Sequence, residues 1–197
     1  MQRREYKDIL LFVVCLLAAN YFWKFTVDGD EGTNVVMWFG LNITAPFDLL
    51  SRHIAEVCYG ITDLVLKGSP CWSITSCAEG LVRFDEPYTI AFSTGFAYSV
   101  VWSCTGLKQA FIWLIIMLFA RGPWLKKLWF IPLGWLCAYG FNIFRITLIG
   151  LLCMNHPTMF DFYHTILFKY LFYAMLFGLW VWWTECLSRS KSEKEDS

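Results

Sequence analysis

The sequence predicts an α-helical integral membrane protein with about four transmembrane helices. An outer insert would carry an amphipathic helix and short β-strands. Three observations lead there. First, the 197 residues are 57% hydrophobic and 16% charged, whereas a soluble domain carries about 25% charge. Second, mean hydropathy is +0.48, and apolar runs near the length needed to cross a bilayer recur along the chain. Third, lysines and arginines gather in alternate connecting segments, the pattern of a multi-span protein with its basic loops in the cytoplasm.

The first predicted span is 9–25, behind Arg3, Arg4 and Lys7. Its Cys-Leu-Leu-Ala-Ala-Asn stretch is a poor cleavage site, so an uncleaved anchor is expected. The second is 106–120, with Lys108 near its start. The third, 128–154, contains Pro132, Gly134 and Gly140, which permit a kink. The fourth is 165–187, with Lys169 placed to snorkel to the interface. Arg121, Lys126 and Lys127 join the second span to the third, and Arg189, Lys191 and Lys194 follow the fourth. These segments and the N-terminus belong in the cytoplasm. The acidic insert 28–103 and the connector 155–163 belong outside. The expected organisation is a single membrane domain, 1–187, followed by a disordered cytoplasmic tail, 188–197.

Within the insert, 28–34 reads as a turn-rich loop and 35–44 as a short strand or interfacial segment. Residues 46–66 have helical periodicity: Phe47, Leu50, Ile54, Val57, Ile61, Leu64 and Val65 recur at three- and four-residue steps. They predict an amphipathic helix on the outer leaflet or against the spans. From 71 to 102 the chain is rich in Val, Ile, Thr, Phe and Tyr, which predicts two or three short strands ending at Val100-Val101-Trp102.

The eight cysteines show no Cys-x-x-Cys pair and no zinc spacing. No basic stripe suggests nucleic acid. Cys15, Cys137, Cys153 and Cys186 lie in apolar runs and read as packing residues. Cys58, Cys71, Cys77 and Cys104 lie in or beside the insert, where an oxidising compartment would reach them.

Three residues at the outer ends of the spans carry chemistry. Cys104 precedes the second span, where a helix N-terminus and nearby cations lower a thiol pKa. Gly106 would let a peptide approach, and the backbone N–H groups of Thr105 and Gly106 are candidate oxyanion donors. Arg145 lies inside the third span, where a guanidinium needs a polar cavity or a partner such as Asp161. Asn142, three residues earlier, shares its helix face and would orient Arg145 or bind substrate. His164 heads the fourth span; His53 and His156 are weaker candidates. A thiol, a guanidinium and an imidazole on one face suit thiol-acyl transfer.

At these residues the chain resembles the exosortase/archaeosortase family of membrane cysteine transpeptidases. The family pattern is Cys-(Ser/Thr/Asn)-Gly, then Asn-x-x-Arg, then an outer His. It reads here as Cys104-Thr105-Gly106, Asn142-Ile143-Phe144-Arg145 and His164. The resemblance runs from Trp102 to the end of the fourth span and implies a reaction. Cys104 would form a thioester with a C-terminal sorting signal (a short motif, a hydrophobic helix and a basic tail) of an exported protein. His164 would be the general acid, and Arg145 would stabilise the oxyanion or hold substrate. It implies no metal or organic cofactor, an acceptor that is a lipid amine, a glycan precursor or water, and a bacterial inner membrane. The chain departs from the family in having fewer spans than many members. Two other readings remain: a four-span thiol oxidoreductase using Cys71 and Cys77, and a non-catalytic assembly subunit.

Overall fold

The computed structural model of the protein describes residues 2–31, 33–67, 88–92 and 96–188. They fall into two compact units. One combines Met1–Thr26, Gly106–Tyr139 and Tyr170–Ser197; the other combines Val27–Thr105 with Gly140–Lys169.

The first unit is helical. Helix α1 is Gln2–Thr26. Its buried residues Phe12, Cys15, Ala19 and Thr26 form one stripe, while Leu10, Val13, Val14, Leu17 and Tyr21 are exposed. Such an apolar outer face would be a liability in water but suits acyl chains. The buried stripe is held by rings: Phe12 meets Phe177 at 5.4 Å and Trp180 at 5.0 Å. Farther along α1, Phe22 and Trp23 pack on Phe111.

Three helical stretches are long and apolar enough to cross a membrane: Tyr6–Thr26, Trp124–Cys153 and Pro157–Glu185. The second expected span is shorter than anticipated. Helix α3, Leu107–Phe119, has 13 residues, which is about 20 Å against a hydrocarbon core of about 30 Å. It is stopped early by the Arg121-Gly122-Pro123 turn. Helix α4, Trp124–Cys153, carries Pro132 inside it and remains helical throughout.

Close packing of α4 on α3 depends on Gly134. A Cβ there would lie 1.9 Å from Nε1 of Trp113, a fully buried side chain. Gly134→Ala should therefore destabilise the protein by about 1–3 kcal/mol through overpacking, although alanine is the better helix former. The expected readout is a lower thermal midpoint in detergent; an unchanged or higher one would contradict this packing.

The second unit begins with an antiparallel sheet of β1 (Val27–Asp30), β2 (Val35–Trp38) and β3 (Leu41–Asn42). Val27 pairs with Trp38, and Asp30 with Val35. The expected loop at 28–34 is thus half strand. Asn34, at φ of 53°, supplies the left-handed residue of the tight turn. Helix α2, Thr44–Lys67, starts two residues before the expected position. Pro46 is tolerated in its first turn, where no backbone donor is needed.

The buried face of α2 differs from the expected one. It is Phe47, Ser51, Ile54, Ala55, Cys58, Thr62 and Leu66, while Leu64 is 73% exposed and Leu49, Ile61 and Val65 also point outward. Small residues on the inward face let α2 approach its neighbour closely. Cys58 Sγ accordingly lies 3.9 Å from the carbonyl oxygen of Ile143 on α4.

Strands β4 (Thr89–Ala91) and β5 (Ala97–Ser99) form an antiparallel pair, Thr89 opposite Ser99. The buried Tyr88 ties this hairpin to α2. Its hydroxyl donates to Asp48, and Arg52 Nη2 donates to that hydroxyl at 3.2 Å. The expected strand end at 100–102 is instead an extended link into a 3₁₀ turn, Trp102–Cys104. The remaining strand expected between 71 and 87, like Cys71 and Cys77, lies outside the described residues.

After α4 the chain makes a 3₁₀ turn, Pro157–Met159, and then a π-helical segment, Phe162–Leu167. Helix α5, Phe168–Trp182, follows and ends in a second π segment, Trp183–Ser188.

Candidate active site

Cys104 ends the 3₁₀ turn that precedes α3. The turn is pinned at several points. The N–H of Trp102 donates to Asn34 Oδ1 at 2.8 Å. The Trp102 carbonyl accepts from Thr105 Oγ1 at 2.7 Å and from the Thr105 N–H at 3.2 Å. The Cys104 N–H donates to Val101 at 2.8 Å, and the Cys104 carbonyl accepts from Asn142 Nδ2 at 2.7 Å.

That last bond joins the thiol's turn to α4. Asn142 and Arg145 lie three residues apart on the buried face of α4, with Ile146 and Ile149, while Phe144 points outward. Arg145 is 7% exposed. Its Nε has no hydrogen-bond partner among the described residues, and it forms no ion pair with Asp161 there. A buried guanidinium with an unused donor is costly unless a ligand completes it.

His164 comes from the π segment. Its Nε2 lies 3.7 Å from Cys104 Sγ, within hydrogen-bonding reach of sulfur. The ring of Phe160 stacks on the imidazole. Cys104, Thr105, Asn142, Arg145 and His164 thus share one compact unit. Gly106 falls in the other unit, where it is the residue before α3 and has φ of 79°. That left-handed conformation favours glycine.

Two local expectations are revised. The Thr105 N–H is engaged by Trp102 rather than left open by a first α-helical turn. Burial also outweighs the nearby cation at the thiol. Cys104 is 9% exposed, and desolvation pushes its pKa above the ordinary thiol value. Arg145 pulls it down, the Ser103 hydrogen bond helps, and the Glu31 carboxylate pushes it up again. At rest the neutral form of the Cys104 thiol is therefore favoured. Neither burial nor the reach of Glu31, in the turn between β1 and β2, can be read from residue spacing.

Other groups play different parts from those the sequence suggested. Cys58 is fully buried, and desolvation pushes its thiol up to about 11, which makes it inert. His53 and His156 are exposed. Asn34 and Phe160 were not foreseen. No motif announces a side chain that fastens a turn 68 residues away, and Phe160 reads as one more apolar residue.

A family model for the transmembrane exosortase matches residues 75–182. That is more than half of the chain and includes the thiol, the guanidinium and the imidazole. The chain belongs to the transmembrane exosortase family. No curated protein and no solved structure matches it. As an exosortase-family membrane protein, it combines the spans and the Cys-Thr-Gly, Asn-x-x-Arg and His elements that suggested the resemblance.

The electrostatics of Cys104 predict a pH dependence. Alkylation of Cys104 by iodoacetamide, followed by mass spectrometry of its peptide, should keep rising above the free-thiol pKa of about 8.5. Arg145→Gln removes a cation that favours the thiolate, so its curve should move to higher pH. A move to lower pH would mean that the guanidinium does not act on the thiol.

Proposed function

We propose that the protein is a membrane cysteine transpeptidase. It cleaves C-terminal sorting signals of exported proteins through a thioester and passes them to a surface acceptor. The observation that carries this reading is the 3.7 Å approach of His164 Nε2 to Cys104 Sγ in a member of the exosortase family.

The neutral thiol dictates how the first step runs. As Sγ attacks the carbonyl carbon of the scissile peptide, its proton passes to His164 Nε2, so the charge develops during attack. The Arg145 Nε–H, buried and unpaired, donates to the oxyanion or to the neighbouring substrate carbonyl. Collapse of the tetrahedral intermediate breaks the C–N bond, and His164 returns the proton to the leaving amine. The acyl group is left on Cys104. An acceptor amine, hydroxyl or water then attacks the thioester and gives its proton to His164, which passes it to the departing thiolate and restores the thiol.

Asn142 serves this chemistry through the Cys104 carbonyl it holds. Thr105 does so through the turn it closes. The basic N-terminus, the Arg121–Lys127 connector and the basic tail support cytoplasmic termini, with the site facing the outer side of the inner membrane.

The test is processing of a co-expressed secreted reporter that bears a sorting signal. Cys104→Ala should leave the tail uncut, and His164→Ala should slow cutting by about 100-fold or more, with each protein at equal level in the membrane. Unchanged cutting by Cys104→Ala would sink the reading. Loss of the Asn142 bond should act on the same reaction through geometry: Asn142→Ala is expected to lower turnover by about tenfold or more while the protein still inserts.

A further inference from the structure

Phe160 takes no chemical part in the reaction above, yet it touches the residue that moves the proton. Its ring lies face to face with the His164 imidazole, centroids 5.3 Å apart and planes 7° from parallel. Phe160 is itself held. Phe96 backs it at 6.3 Å, and Phe96 packs on Phe92 and Tyr98 at 6.0 Å each. Phe96 and Phe160 both rest against the buried cluster of Ile149, Cys153 and Phe168. A train of rings therefore runs from the β4–β5 hairpin to the imidazole.

The geometry gives this train a task. Rotation of a histidine ring about its last torsion is soft and broad, so a half-exposed imidazole samples many planes. Only some of them direct Nε2 at a neighbouring atom. A ring stacked on one face removes that freedom and leaves the in-plane edge, with Nε2, aimed at Cys104 Sγ. The same face also favours the ring once it is protonated, as a cation over an aromatic surface.

We propose that Phe160 is a positioning residue: it selects the plane in which the His164 imidazole exchanges a proton with the Cys104 thiol. This rests on the reading of Cys104 and His164 as nucleophile and proton carrier.

The experiment measures the rate at which iodoacetamide alkylates Cys104 in the full-length protein in detergent, read from the mass of its peptide. The proteins are wild type, Phe160→Leu, Phe160→Met, Phe160→Tyr and His164→Ala, compared at matched near-UV circular dichroism. Phe160→Leu and Phe160→Met keep apolar bulk without a planar face and should slow alkylation about 2- to 10-fold, the worth of one aromatic stack. Phe160→Tyr keeps the face and should react as wild type does. The proposal is overturned if the Leu and Met variants react at the wild-type rate while His164→Ala is slow. It is overturned equally if Phe160→Tyr is as slow as they are, since bulk or folding would then be the cause. A wild-type rate for His164→Ala would instead remove the thiol–imidazole pairing itself, and the positioning role with it.

Discussion

The hydrogen bond from Asn142 to the carbonyl of Cys104 is the constraint on which the site depends. Without it, the 3₁₀ turn between β5 and α3 would be held only by its own short bonds and by Asn34. With it, the turn is fastened to α4. The thiol then stands at a fixed offset from everything else α4 carries, and above all from Arg145 one turn away. Asn142 is 1% exposed. In such surroundings a satisfied bond is strengthened by the low dielectric and an unmade one is expensive. The bond also spares the sulfur: the backbone is held, and Sγ remains free to react.

Regular and irregular helix divide the work between them. Asn142 and Arg145 sit on α4, a continuous helix that contributes a stiff platform. The thiol and the imidazole come from less regular pieces, a 3₁₀ turn and a π segment. Irregular helical turns of this kind concentrate at functional sites because they re-aim side chains that a uniform helix would direct elsewhere. The guanidinium is thus on a continuous helix. The thiol and the imidazole are on elements whose geometry is set by their neighbours.

Much of this was legible in the sequence. Apolar length located the long spans, since a bilayer fixes the length a helix needs. The Cys-Thr-Gly, Asn-x-x-Arg and His elements pointed to residues that the fold gathers into one unit, all but Gly106. Other features had no signal to read. The inward face of α2 mixes Phe47, Ile54 and Leu66 with serine, alanine, cysteine and threonine, so a rule that sends large apolar residues inward found Phe47 and Ile54 but misplaced Ile61, Leu64 and Val65. Helix α3 falls one residue short of the expected span at each end, because Gly106 and Ala120 serve as its caps. The state of the thiol depends on how completely it is buried, and no spacing of residues encodes that.

The concealment of Cys104 has one more consequence, for durability. Oxidation to sulfenic acid and beyond proceeds through the thiolate and needs access to the sulfur. Here the Cys104 residue is only 9% exposed, and burial favours the protonated thiol. A soluble oxidant should therefore meet this thiol more slowly than it would an exposed one. The burial that raises the thiol's pKa also slows its oxidation.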